Sequence, residues 1–321
     1  MAQFPPVAPA PPPALPVTST PYHHFLRTPR HRWWKSLLSI AATLVAYFAL
    51  GLVLPAIAID IDLATGRLSF DEALSGTLVM TPALFLATNL SLALMIPATM
   101  LLQWWIHGQR PRWLSSVEGR FRWGLLARSA VVLVPVFVVY VGASFLLGGL
   151  PSGPINAEAI PYLAIVVLTT PLQSAGEEFA VRGMLTRAIA AWIPPRVIAL
   201  VAASVLSAGI FVLGHPNLTP GRLGSLLVVA LGFSLLTWRT GGLEAAVLGH
   251  ALNNALIMIP TALWGDMGSL IGGDSGDTGI IEVLIMVVVM LVSWAGVELV
   301  FRRSPYRRCA APGDGTLQGH S

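Results

Sequence analysis

The constraint that decides the fold is a succession of apolar runs, each long enough to cross about 30 Å of hydrocarbon at roughly 20 residues per crossing. They lie near 36–58, 77–103, 124–149, 160–192, 197–215, 223–238, 243–263 and 279–301. Lipid offers the backbone no hydrogen bonds, so each run must satisfy its own, which it does as a helix. The predicted fold is therefore an all-α polytopic membrane bundle of about eight transmembrane helices. A chain that is 55% hydrophobic and 11% charged, with mean hydropathy +0.73, falls outside the soluble class. The fourth run carries Pro171 at its middle, which predicts either a kinked helix or two shorter ones.

The flanks define three regions. Residues 1–35 open with Pro5, Pro6, Pro9 and Pro11 and read as an extended or disordered cytoplasmic tail. Residues 36–303 form the membrane domain, and 304–321 a cytoplasmic C-terminal tail. The first run is too long for a removable signal peptide and lacks its small-residue cleavage site, so it reads as a retained helix. Arg and Lys gather before the first run, at Arg110, Arg112, Arg120 and Arg122, near Arg187 and Arg196, at Arg239, and from Arg302 to Arg308. Acidic residues such as Asp62, Glu158, Asp266, Asp274 and Asp277 occupy the alternate loops. This alternation predicts both ends in the cytoplasm, with Arg67 and Arg222 as exceptions. The basic flanks account for the net charge of +4 and leave no case for nucleic-acid binding. The single cysteine, Cys309, rules out an intrachain disulfide and a cysteine-based zinc cluster.

Against that apolar background three polar groups stand out. Each charge at membrane depth costs about 2.5–3.5 kcal/mol on insertion scales, so a cluster there needs a reason. The first group is Glu177, Glu178 and Arg182. Residues four apart share a helix face while adjacent ones diverge by about 100°, so Glu178 pairs with Arg182 and Glu177 points elsewhere. An unpaired carboxylate in low dielectric is a candidate general base. The second group ends Phe211-Val-Leu-Gly-His215, and the third is His250 with Asn254 one turn on. The Pro194-Pro195 turn predicts an antiparallel hairpin with Glu177 and His215 at similar depth. Polar residues of this kind also glue transmembrane helices together. Glu244 near Arg239, Glu298 facing the basic C-terminal flank and Asn89 as an interhelical hydrogen bond read as structural.

Taken in order, Glu-Glu-x-x-x-Arg, Phe-x-x-x-His and His-x-x-x-Asn in three apolar segments are far more specific than any one of them. Over about 160–265 the chain resembles the CAAX-protease and bacteriocin-processing family of intramembrane endopeptidases, also called the Abi or type II CAAX prenyl endopeptidase-like family. Gly183 after the arginine also matches; Val181 replaces an aromatic residue common before it. The resemblance implies an endopeptidase that acts on a membrane peptide or protein substrate from within the lipid bilayer, expected in a bacterial cytoplasmic membrane. It assigns Glu177, His215, His250 and Asn254 to the reaction centre, with Glu178 and Arg182 in support. Glu177 is then the base, His215 a partner of that carboxylate or of the water, and His250 and Asn254 donors to the oxyanion. Glu177, His215 and His250 also form a plausible zinc set with an open position. A metal-free glutamate mechanism uses the same residues, and both stay open. The alternatives are an ion- or proton-coupled transporter or binding protein built on the same buried cluster, or a non-catalytic immunity protein.

Overall fold

In the computed structural model, which describes residues 12–74, 79–148, 154–215, 218–269 and 279–314, the chain is all-helical. Eight helical stretches are long and apolar enough to cross a membrane, so this is an integral membrane protein, with one helical stretch for every predicted run. The spans are α1 (Trp33–Ala64), α3 and α4 together (Pro82–Ala93 and Met95–His107), α5 (Trp123–Gly148), and a long fourth span. They continue with α8 (Arg196–Leu213), α9 (Pro220–Thr240), α10 (Glu244–Trp264) and α11 (Ile280–Arg302). A short helix α2 (Phe70–Leu74) lies outside the spans. The opening prolines through Pro11, and the loop residues Asp274 and Asp277, lie outside the described residues.

The fourth span is not divided at Pro171. Helix α6 (Ala159–Glu178) passes through that proline unbroken, and the departure from α geometry comes later. Phe179–Leu185 is a π-helical segment, followed by α7 (Thr186–Trp192). The Thr186 N–H bonds to the Val181 carbonyl, five residues back, and the Thr186 hydroxyl donates to the same oxygen at 2.9 Å. All seven residues of the segment are buried. The second span is interrupted near Pro97, which cannot donate to Ala93 and whose ring crowds that carbonyl; the α3/α4 junction falls at Leu94.

The segment before α1 is packed, where composition predicts a loose tail. Thr20–Pro21 (β1) pairs antiparallel with Cys309–Ala310 (β2), so the two end segments lie together on one side of the bundle. Tyr22 and Phe25 join Trp113, Leu114, Phe179 and Leu243 in a common apolar core. Arg187, which reads in sequence as a loop charge, is fully buried under this strap. It donates to Gln103 Oε1 at 2.7 Å and Gln109 Oε1 at 3.1 Å, with the rings of Tyr22 and Phe25 over its guanidinium. The strap also holds the α7–α8 turn: His23 Nε2 and His24 Nε2 each lie 3.1 Å from a carbonyl, of Arg196 and Ile193 respectively. Proline content masked these aromatic anchors.

Two further ion pairs tie the helix ends. Glu244 pairs with Arg122, its carboxylate bridged by Nε at 2.9 Å and Nη2 at 2.7 Å, and not with the nearby Arg239. Arg239 binds Glu298, and Asn89 bridges to Thr169 and Thr170 on α6.

Candidate active site

Glu177 lies sixteen residues before the Ile193 turn, about 24 Å at α-helical rise, and so sits deep in the bundle. The adjacent carboxylates part as their 100° divergence requires. Glu178 is completely buried, and its Oε1 accepts from Arg182 Nη1 at 2.9 Å and faces His250 Nδ1 at 2.8 Å. Arg182 Nη2 donates to the Ala230 carbonyl at 2.7 Å, with Phe211 and Phe233 over its guanidinium. Glu177 keeps 12% of its side chain exposed. Its Oε2 accepts from Gln173 Nε2 at 2.8 Å, one turn back on α6, and faces His250 Nε2 at 3.2 Å.

His250 from α10 therefore bridges the two carboxylates. With both carboxylates ionised, and so only accepting, the ring satisfies both by donating from both nitrogens, as the imidazolium. Two carboxylates, one guanidinium and one imidazolium then sum to zero charge, which is how such a cluster survives burial. The His250 ring is held flat against Phe233, with centroids 5.5 Å apart, and edge-on to Phe211 at 5.9 Å.

Asn254, one turn along α10, donates to Gln173 Oε1 at 3.3 Å and Ser174 Oγ at 3.4 Å. Gln173 is thus the hub that links Asn254 to Glu177, a residue that sequence reading passed over. The signal was present: Gln173 and Glu177 are four apart on one helix. Asn253 donates to Asn254 Oδ1 at 3.2 Å.

His215 lies just past the end of α8, where Nδ1 contacts the Phe211 carbonyl at 2.9 Å. A carbonyl can only accept, so Nδ1 carries a proton, and a neutral ring in this tautomer has its lone pair on Nε2. Glu177 and His215 line one cavity of about 500 Å³, with Tyr47 and Phe48 of α1, Leu92, Met95, Phe211 and Leu213. Its walls are mainly apolar, and Phe48 and Leu213 at its margin are 67% and 80% exposed. Those side chains project from a helical bundle whose outer surface is lipid-facing. Neither His250 nor Asn254 lines the cavity.

As the side chains stand, Glu177, His215 and His250 do not converge on one zinc position. A zinc ligand needs an imidazole lone pair aimed at the metal about 2.0–2.1 Å away, and both His250 nitrogens are directed at carboxylates. Among the described residues, no three His, Cys, Asp or Glu side chains converge on a point a metal would occupy.

Residues 156–256 match the family described as type II CAAX prenyl endopeptidase Rce1-like. This stretch is an Rce1-like domain. It runs from just before α6 into α10 and contains Glu177, Glu178, Arg182, His215, His250 and Asn254. An Rce1-like domain implies a CAAX-type intramembrane protease, and hence a protein substrate. Comparison with curated proteins and with solved structures gave no match. Tyr47 and the rest of α1 lie outside the Rce1-like stretch but contribute to the same cavity.

Proposed function

We propose that this protein is an intramembrane endopeptidase in which Glu177 activates a water molecule for attack on a peptide bond of a membrane-associated peptide or protein, without a metal. The observation that carries this reading is the position of Glu177. It belongs to the neutralised charge cluster and is the carboxylate on the wall of the apolar cavity. A base so held meets the requirement that catalytic groups be oriented before substrate arrives.

Glu177 takes the water proton as the oxygen attacks the carbonyl carbon, then passes that proton to the departing amine. His215, with Nε2 as acceptor, helps orient the water. Glu178 and Arg182 act through His250, which they hold against Glu177, while Asn254 acts through Gln173. All five are positioning residues in this reading. The metal-free version is favoured because His250 offers no lone pair to a metal while it bridges two carboxylates.

The test is quantitative peptidomics of membranes with the wild-type protein, with Glu177→Gln, and with neither. Peptides that appear with wild type and disappear with Glu177→Gln, at equal protein level and thermal stability, support the reading. Equal turnover by the two proteins removes Glu177 as base.

A further inference from the structure

Peptide hydrolysis needs a hydrogen-bond donor for the oxyanion as well as a base, and that donor has to reach the cavity where Glu177 and His215 meet. The two donors assigned by motif resemblance, His250 and Asn254, are committed elsewhere, to the carboxylates and to Gln173 and Ser174. Two hydroxyls line the cavity. Thr43 is spent, since its Oγ1 donates to the Ser39 carbonyl at 2.7 Å. Tyr47, on α1, is half-buried and forms no hydrogen bond with the described residues. Its ring is braced edge-on against Phe48, with centroids 5.4 Å apart. A Cβ on Gly214 would stand 3.2 Å from the Tyr47 hydroxyl, which locates that hydroxyl against the turn that carries His215. It shares the lining of that cavity with Glu177.

We propose that Tyr47 is a catalytic residue of this site, its phenol donating a hydrogen bond to the oxygen of the scissile carbonyl as negative charge develops there. The inference rests on the protease reading above. As the water oxygen bonds to the carbonyl carbon, the carbon–oxygen π pair moves onto oxygen and the water proton goes to Glu177. Tyr47 keeps its own proton throughout. On collapse the pair returns, the carbon–nitrogen bond breaks, and the Glu177 proton goes to nitrogen. Helix α1 thereby adds a free hydroxyl to a centre whose motif donors His250 and Asn254 are, among the described residues, engaged elsewhere.

The test uses the full-length protein in lipid nanodiscs and a quenched fluorescent peptide spanning a cleavage site recovered by the peptidomics experiment. Tyr47→Phe keeps the ring and removes the donor. kcat should fall ~100-fold, the scale seen when one oxyanion donor is removed, with KM and thermal stability nearly unchanged. A kcat within about twofold of wild type, or a loss confined to KM, overturns the proposal, because an oxyanion donor acts on the transition state and not on ground-state binding. If Tyr47→Phe does not fold, site-specific 3-fluorotyrosine at this position decides. Its more acidic phenol moves the alkaline limb of kcat to lower pH if the phenol must stay protonated, and an unmoved limb refutes the role. Absence of any cleavage by wild type that Glu177→Gln abolishes overturns the protease reading first, and this inference with it.

Discussion

Replacing Arg182 with methionine isolates the inner half of the charge cluster. The side chain is 1% exposed and makes one charged hydrogen bond to Glu178 and one to the Ala230 carbonyl. Methionine keeps most of the volume between Phe211 and Phe233 but leaves Glu178, fully buried, with only His250 as a cationic partner. Glu178 Oε2 already has no hydrogen-bond partner among the described residues, nor has Arg182 Nε, so the pair has little slack to redistribute. Breaking a buried ion pair from one side costs about 3–5 kcal/mol, most of it the uncompensated charge left behind. Glu178→Gln in the same protein removes that charge. The double variant should therefore recover about 2 kcal/mol of the loss, a coupling of the size that contacting residues show. Reversible unfolding in mixed micelles of wild type, Glu178→Gln, Arg182→Met and the double variant closes the cycle. A cost below about 1 kcal/mol for Arg182→Met, or strictly additive effects, would refute the reasoning, because water or another group would then be satisfying Glu178.

Three other outcomes are expected. With Cys309→Ser as background, cysteines at 177 and 215 should cross-link with short reagents, since both positions line one cavity; a folded variant that resists cross-linking contradicts the hairpin. Purified active protein should carry far less than one zinc per chain and keep its activity in chelator; stoichiometric zinc, lost on His215→Ala and His250→Ala, overturns the metal-free proposal. Outside the membrane spans, burial, then the neighbouring His24, pushes the His23 ring down to about 4, against the hydrogen bond to the Arg196 carbonyl. The unfolded chain, with His near 6.5, then binds the extra proton between those values. Stability should fall as pH drops through that window, by at most about 3 kcal/mol, and His23→Gln should flatten the dependence; an unchanged profile removes His23 from the strap's acid response.

The eight spans were legible because apolar runs of membrane length admit little else, and each predicted run is a helix. The parting of Glu177 and Glu178 was equally legible, since helical geometry alone separates adjacent residues and joins Glu178 to Arg182. Legibility ended where the decisive partner lies far along the chain. Tyr47 precedes Glu177 by 130 positions in an ordinary apolar helix, and its significance depends on where α1 packs. Glu244 found Arg122 because the start of α5 folds onto the start of α10, a closure that sequence proximity to Arg239 concealed. The π segment was hidden for another reason: every residue in it is buried, so no periodicity of exposed and apolar positions records the extra residue in the turn. Its proline-bearing neighbour, the obvious place for a break at Pro171, stayed helical throughout.

That π segment bears on why two carboxylates stand side by side. Irregular backbone of this kind persists only where its surroundings over-determine it, and single widened turns gather at functional sites. On one side of the pair, a Cβ on Gly176 would overlap the Leu92 carbonyl oxygen, so α6 is pressed against the end of α3 and cannot shift. On the other, Thr186 closes the widened turn onto Val181 and ties it to Ser207 of α8. Glu177 and Glu178 are thus clamped between a close helix contact and a locked turn, one facing the cavity and the other the buried arginine. In the proposed reaction Glu177 takes a proton from water and loses its charge, and with it much of its hold on His250 Nε2. The Nδ1 contact to Glu178 does not depend on that proton, so the ring stays aligned and ready when Glu177 ionises again. On the proposed mechanism, the second carboxylate, paired with Arg182, is what lets the first change charge without the site coming apart.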